Sequence, residues 1–150
     1  MSEKHLILVS IAEPFGGYLS AERLAAAARR VLEAERASTC ELSIAVTDDE
    51  TVRALNREYA GEDAVTDVLS FSQREGEEFV APPEGVPPLG EVVIAYPQAA
   101  RQAAGPVERE VERLLVHGVL HLLSYDHAEP EEARRMRERE DALAGEDDTG

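Results

Sequence analysis

Glu41-Leu-Ser-Ile-Ala-Val-Thr47 runs without a break into Asp48-Asp-Glu-Thr-Val-Arg-Ala-Leu-Asn-Arg-Glu-Tyr-Ala-Gly61, and the fold class turns on this passage. Its first seven residues read as a strand. Thr47 or Asp48 then offers the short polar side chain that caps a helix, which carries Val52, Leu55 and Tyr59 on its apolar stripe. Gly61 ends it. Upstream the order is the same. His5 to Ala12 reads as a buried strand closed by Pro14 and the Gly16-Gly17 turn. Ser20 caps a helix from Ala21 to about Glu35, with Leu24, Ala28, Val31 and Leu32 on one face. Downstream, Thr66 to Ser72 and Glu91 to Tyr96 are two further strands, separated by a loop rich in proline (Pro82, Pro83, Pro87, Pro88). A short helix from Pro97 to Ala104 stops at Gly105-Pro106, a strong one covers Val107 to Leu123, and Pro130 opens a last one. Alternation followed by clustering predicts α/β or α+β: one mixed sheet of about four strands with helices packed on it.

A chain of 150 residues, 43% hydrophobic and 31% charged, is long and apolar enough to fold as one domain over residues 1–150. Residues from about 144 to 150 are expected to be a frayed acidic tail. No apolar run approaches the ~20 residues that span a bilayer, and Met1-Ser2-Glu3-Lys4-His5 has no secretory pattern. Cys40 is alone and forms no internal disulfide, which fits a reducing cytoplasm; its ordinary role is that of a small buried residue. The net charge of −16 argues against a polyanionic partner, because nucleic-acid binding usually shows as a basic face. Residues 138–150 carry six acids against Arg139, which leaves −11 on the remainder. Any RNA site must therefore be a local patch.

Three of the four histidines lie within eleven residues, at His117, His121 and His127. Positions four apart on a helix differ by only about 40° in direction, so His117 and His121 project from one face within reach of one ion. His127 joins them only if the chain leaves the helix near Ser124 and folds back. Three imidazoles suit zinc and leave its fourth position for water or substrate. The surrounding Leu114, Leu115, Val116, Val119, Leu120, Leu122 and Leu123 predict a helix apolar almost all round, in which two buried imidazoles need partners. His5 carries no such argument and reads as a strand-end residue. A zinc peptidase would have glutamate directly after the first histidine as its base; Gly118 stands there instead. Asp126 replaces that base only if its loop reaches the metal's water, and its ordinary role is in the turn.

Val116-His-Gly-Val-Leu-His-Leu-Leu-Ser-Tyr-Asp-His127 resembles the signature of the YbeY family of bacterial endoribonucleases. Leu55-Asn-Arg-Glu-Tyr59, Thr66-Asp-Val-Leu-Ser-Phe71 and Leu89-Gly-Glu-Val-Val-Ile94 agree in the same order, so the resemblance covers nearly the whole chain. It implies a zinc ion held by His117, His121 and His127, and single-strand-specific cleavage of RNA. It further implies maturation of 16S ribosomal RNA and quality control of the 30S ribosomal subunit in the cytoplasm, with no DNA or membrane partner. Thr66, Asp67, Ser70 and Phe71 would line the site or hold its strand, with packing as the ordinary role of Phe71. The chain departs from the pattern at Ala60-Gly61-Glu62-Asp63, where the family typically has Arg-Gly-Lys-Asp. Alanine for arginine and glutamate for lysine make this loop three charge units more negative, and Arg53 and Arg57 stand one turn apart nearby to supply charge. Ser124 replaces a usual glycine, Glu91 a usual aspartate and Val65 a usual proline. A ribosome-assembly factor with a mainly structural zinc is the alternative reading, and a zinc peptidase the third.

Overall fold

In a computed structural model, residues 5–37, 39–72 and 88–123 are described. Four strands form one sheet: β1 (Leu6–Ile11), β2 (Glu41–Thr47), β3 (Val68–Ser72) and β4 (Pro88–Ala95), in the order β1-β2-β4-β3. β1, β2 and β4 are parallel, with Val9 beside Ile44 and Ile44 beside Val92; β3 closes the other edge antiparallel to β4, with Ser70 opposite Val92. The helices are α1 (Ala21–Ala34), α2 (Asp49–Leu55), α3 (Tyr96–Gln102) and α4 (Val107–Leu122). The mixed α+β architecture expected from the sequence is the one observed.

The core follows from alternation. Leu42, Ile44 and Val46 of β2 and Val92 and Ile94 of β4 point to one side of the sheet, where they meet Leu24, Ala27, Ala28, Val31 and Leu32 of α1 and Leu115, Val119 and Leu120 of α4. On the other side, Val93 and Ala95 pack with Val52 of α2 and the half-buried Leu55, Leu69 and Phe71. β4 is thus buried on both faces, as a central strand should be. It begins three residues earlier than expected, at Pro88, the end of a strand where a missing N–H is tolerated.

β1 departs from the expectation of a buried strand. It lies at the edge, and Leu6 and Leu8 are 44% and 48% exposed while Ile7, Val9 and Ile11 pack on the core. A continuous apolar run specifies a strand without specifying which of its faces is covered. Buried His5 precedes β1, and its Nδ1 accepts from the Cys40 backbone N–H at 3.3 Å, so both residues have the structural roles read from the sequence. Phe15 and Tyr18 stack on Tyr96, which pins the β1–α1 connection to the start of α3.

Candidate metal centre

The seat of α4 is set at Gly118. A Cβ there would lie 2.7 Å from Val92 Cγ1 and 3.1 Å from Ser70 Oγ, so the helix lies so close to β3 and β4 that only a hydrogen atom fits. Ser70 Oγ donates to the Gly118 carbonyl at 3.1 Å and ties the helix to the sheet edge. Two acids hold the opposite side. Glu108 accepts from the Ser20 backbone N–H at 3.0 Å, and Glu112, 4% exposed, pairs with Arg23 of α1. These attachments fix the rotation of α4 and hence where its histidines point.

His117 is half-buried and His121 exposed; by helical angle each lies roughly 140–180° round α4 from Glu112, which meets Arg23 of α1. The expectation that both imidazoles are buried is therefore corrected. Among the described residues, they occupy a stripe of α4 that the core does not cover. Their support as metal donors is their spacing and access. Two imidazoles about 6 Å apart in helical rise suit a dication such as zinc. His127 lies outside the described residues, together with Ser124, Tyr125, Asp126, the helix expected from Pro130, the acidic tail and most of the proline-rich loop. Among the described residues no three His, Cys, Asp or Glu side chains converge as a metal cluster.

The residues expected around the site divide. Ser70 lies against α4 beside His117. Phe71 points to the other face of the sheet, where Tyr59 meets it edge-on at 5.4 Å. Asp67 is held two turns before His117: Gln102 Nε2 donates to Asp67 Oδ2 at 3.0 Å and to Glu110 Oε2 at 2.7 Å. Thr66 Oγ1 reaches Asp67 Oδ1 at 3.5 Å, and the Asp67 carbonyl accepts from the Ala95 N–H at 2.9 Å. Thr66 and Asp67 thus hold the start of β3 rather than meeting the histidines. Burial pushes the Glu110 carboxyl up, but hydrogen bonds from Arg113 and Gln102 outweigh it and hold it below the usual carboxylate range.

The α2–β3 connection is self-contained. Asp48 caps α2 by accepting from the Thr51 N–H at 2.7 Å, which holds its carboxyl below the usual range. After Leu55 the helix widens into a π turn, Asn56–Ala60, which Gly61 closes at φ 77°. Tyr59 leaves the expected apolar stripe and is 66% exposed, because the wider turn rotates it off that face. Asn56 is buried and donates to the Ala64 carbonyl at 3.0 Å. Arg53 meets Asp63 at 2.7 and 3.3 Å, and Arg57 approaches the same carboxylate at 3.9 Å. The two arginines that stand nearby to supply charge therefore face an acid of their own loop. An open groove of about 450 Å³ nearby is walled by Asp48, Asp49, Glu50, Arg53, Val65 and Pro97. It lies at the carboxyl end of β4, whereas Leu122 reaches Gly90 at the amino end.

Two features escaped the sequence reading. Gln102 bridges Asp67 and Glu110 across three elements, and no local pattern announces that. Arg109 and Arg113 continue the histidine spacing upstream in uniform steps of four, a signal present in the sequence.

No helix among the described residues is long and apolar enough to cross a membrane. The family model for Endoribonuclease YbeY matches residues 17–146. A relative from Symbiobacterium thermophilum, named Endoribonuclease YbeY, is 45% identical over 128 residues, which cover 82% of each chain. The protein of that name from Pelotomaculum thermopropionicum is 45% identical over 126 residues, 81% of this chain and 82% of its own. That from Anaeromyxobacter sp. is 46% identical over 131 residues, 85% of this chain but 65% of its longer partner. The solution structure of a Thermotoga maritima protein shares the fold, at 20% identity and a TM-score of 0.56 over 96% of this chain and 93% of that one. On the extent of the family match and the identity of these relatives, the chain belongs to the YbeY family.

Proposed function

We propose that this chain is a zinc-dependent endoribonuclease of the cytoplasm that acts on single-stranded ribosomal RNA, in 16S maturation and 30S quality control. The observation that carries the reading is the His117–His121 pair one turn apart on α4, in a chain belonging to a family named for endoribonuclease activity. His117, His121 and His127 would hold the metal. When bound, zinc supplies Lewis acidity, lowering the pKa of a water and drawing charge from a phosphoryl oxygen. The chain's own part is positioning. Gly118 and Ser70 seat α4 on the sheet, so the two rings are presented from a rigid helix rather than a loop.

Purified protein should carry about one zinc per chain, and His121→Ala should lose both the metal and RNA cleavage. Cleavage that survives in metal-free His121→Ala protein would sink the assignment.

The second reading is an assembly factor whose zinc is mainly structural and whose RNA is presented by partners. It is favoured by the net charge of −16 and by Arg53 and Arg57 facing Asp63. Cleavage of a 30S particle but not of free RNA would support it. The peptidase reading loses ground on the geometry of Gly118. Position 118 faces Val92 and Ser70, so a general base there would point into the sheet rather than toward the histidines.

A further inference from the structure

Resting on the nuclease reading, we infer that the exposed ring of Tyr18 is a stacking platform for one unpaired base of the RNA strand that reaches the histidines. Phe15, Tyr18 and Tyr96 form an aromatic cluster just past the carboxyl ends of β1 and β4. Phe15 lies 4.7 Å from Tyr96 at 20°, and Tyr18 lies 6.1 Å from it at 29°, so the three rings stand in roughly parallel planes. They are not equally covered. Phe15 and Tyr96 are half-buried, whereas Tyr18 is 68% exposed. Anchoring the β1–α1 connection does not need that ring: the adjacent Leu19 is buried in the core, Phe15 makes the closer stack, and Glu108 holds the Ser20 N–H. Gly16 and Gly17 precede Tyr18 without side chains, and a Cβ at Gly17 would meet nothing within 4 Å, so the chain before the ring raises no wall beside it.

The ligand follows from charge and reach. A net charge of −16 leaves little counterion release with which to hold RNA, and stacking on an uncharged ring needs none. Every base has a π face, so the contact is indifferent to sequence. A base inside a duplex has both faces covered by its neighbours, so the contact selects single strands. The bond between Glu108 and Ser20 sets this connection at the first turn of α4, nine residues or about 13 Å of helix before His117. β4 gives the same figure: four residues, about 13 Å, separate Tyr96 from Val92, which lies against Gly118 beside His117. A few nucleotides bridge such a gap. The carboxyl ends of parallel strands are also where open α/β sheets take their ligands.

The test is binding of labelled single-stranded oligoribonucleotides to the full chain with added zinc, read by anisotropy faster than cleavage and repeated across salt concentrations. Tyr18→Ala should weaken binding about tenfold without changing the slope of log K against log salt, because the lost contact carries no charge. Tyr18→Trp should restore the affinity, and zinc content and the unfolding midpoint should stay at wild-type values. Replacing the bases of the strand by abasic sites should cost wild type about tenfold more than it costs Tyr18→Ala. Leu6→Ala, which trims an exposed apolar side chain at the other end of β1, should alter neither affinity nor slope. Wild-type affinity in folded Tyr18→Ala, with wild type still cleaving RNA, overturns the platform and leaves the nuclease reading intact. So does a loss seen on a 30S particle but not on free RNA, which would make the ring a contact for protein. A loss that follows a lowered unfolding midpoint and is not rescued by tryptophan overturns it as well, since the ring would then serve only to anchor the loop. Wild-type protein that neither binds nor cleaves RNA overturns both readings.

Discussion

Arg53 and Arg57 on one helix, and Arg109 and Arg113 on another, are the same device in sequence: two arginines four residues apart. Folding treats them differently. The first pair lies where the chain doubles back through the π turn and Gly61, which brings Asp63 under both guanidinium groups. The hydrogen bond from Arg53 holds the Asp63 carboxyl below its usual range, so the acid remains charged at neutral pH and offsets one positive charge there. In the second pair the acid that Arg113 meets, Glu110, stands three residues back on the same helix. Glu110 sits to one side of it and also accepts from Gln102. One pair is met by an acid ten residues on, brought back by the turn, and the other by an acid three residues back along its own helix.

The difference is broken most severely by unseating α4. Gly118→Ala puts a methyl group 2.7 Å from Cγ1 of the fully buried Val92 and should destabilise the protein by about 2 kcal/mol in denaturant unfolding. The loss should carry the histidines with it and reduce zinc affinity. Unchanged stability would mean that α4 does not lie as close to the sheet as Gly118 requires. A smaller effect is expected on the other side. Asp48→Ala removes the cap of α2 and should cost about 1 kcal/mol. The cap's contribution should be present above the ordinary carboxylate range. It should fade as pH falls through the depressed value of Asp48, so the wild-type and variant stability curves should converge in acid.

Legibility followed the range of the interactions. The four strands, the cap at Ser20, the cap at Asp48 (one of two candidates) and the stop at Gly61 came from residues a few positions apart; the caps and the stop lie where expected and the strands within about three residues of it. The edge position of β1 depends on which strand pairs beyond it, which its own apolar run does not record. The inward engagement of Glu112 with Arg23 bridges 89 positions, and the stripe of α4 that the described core leaves uncovered is set by such long-range attachments. That stripe is where the histidines are. Their spacing was readable because four residues on a helix fix a direction; their exposure was not, because it depends on the seat that Gly118 makes. Gly118 was noticed in the sequence for the glutamate it lacks, and in the fold it matters for the side chain it excludes.

The finest test of the comparison takes away the acid that the first pair meets. Asp63→Asn keeps the shape of the side chain and removes the charge facing Arg53 and Arg57. Stability should scarcely change, since the pair is solvent-exposed and such ion pairs contribute little. RNA binding should tighten about threefold, and its salt slope should steepen by about 0.7 if one new phosphate contact forms. The sign of the pH effect comes from the same pair. Its contribution is complete above the ordinary carboxylate range and is lost as pH falls through the lowered pKa of Asp63, where the wild-type loop becomes as positive as the variant's. The affinity advantage of Asp63→Asn should therefore narrow in acid and be full at neutral pH. A gain in affinity that is independent of both salt and pH would show that Asp63 acts on the shape of the π turn instead, and the charge account of the α2–β3 loop would fall.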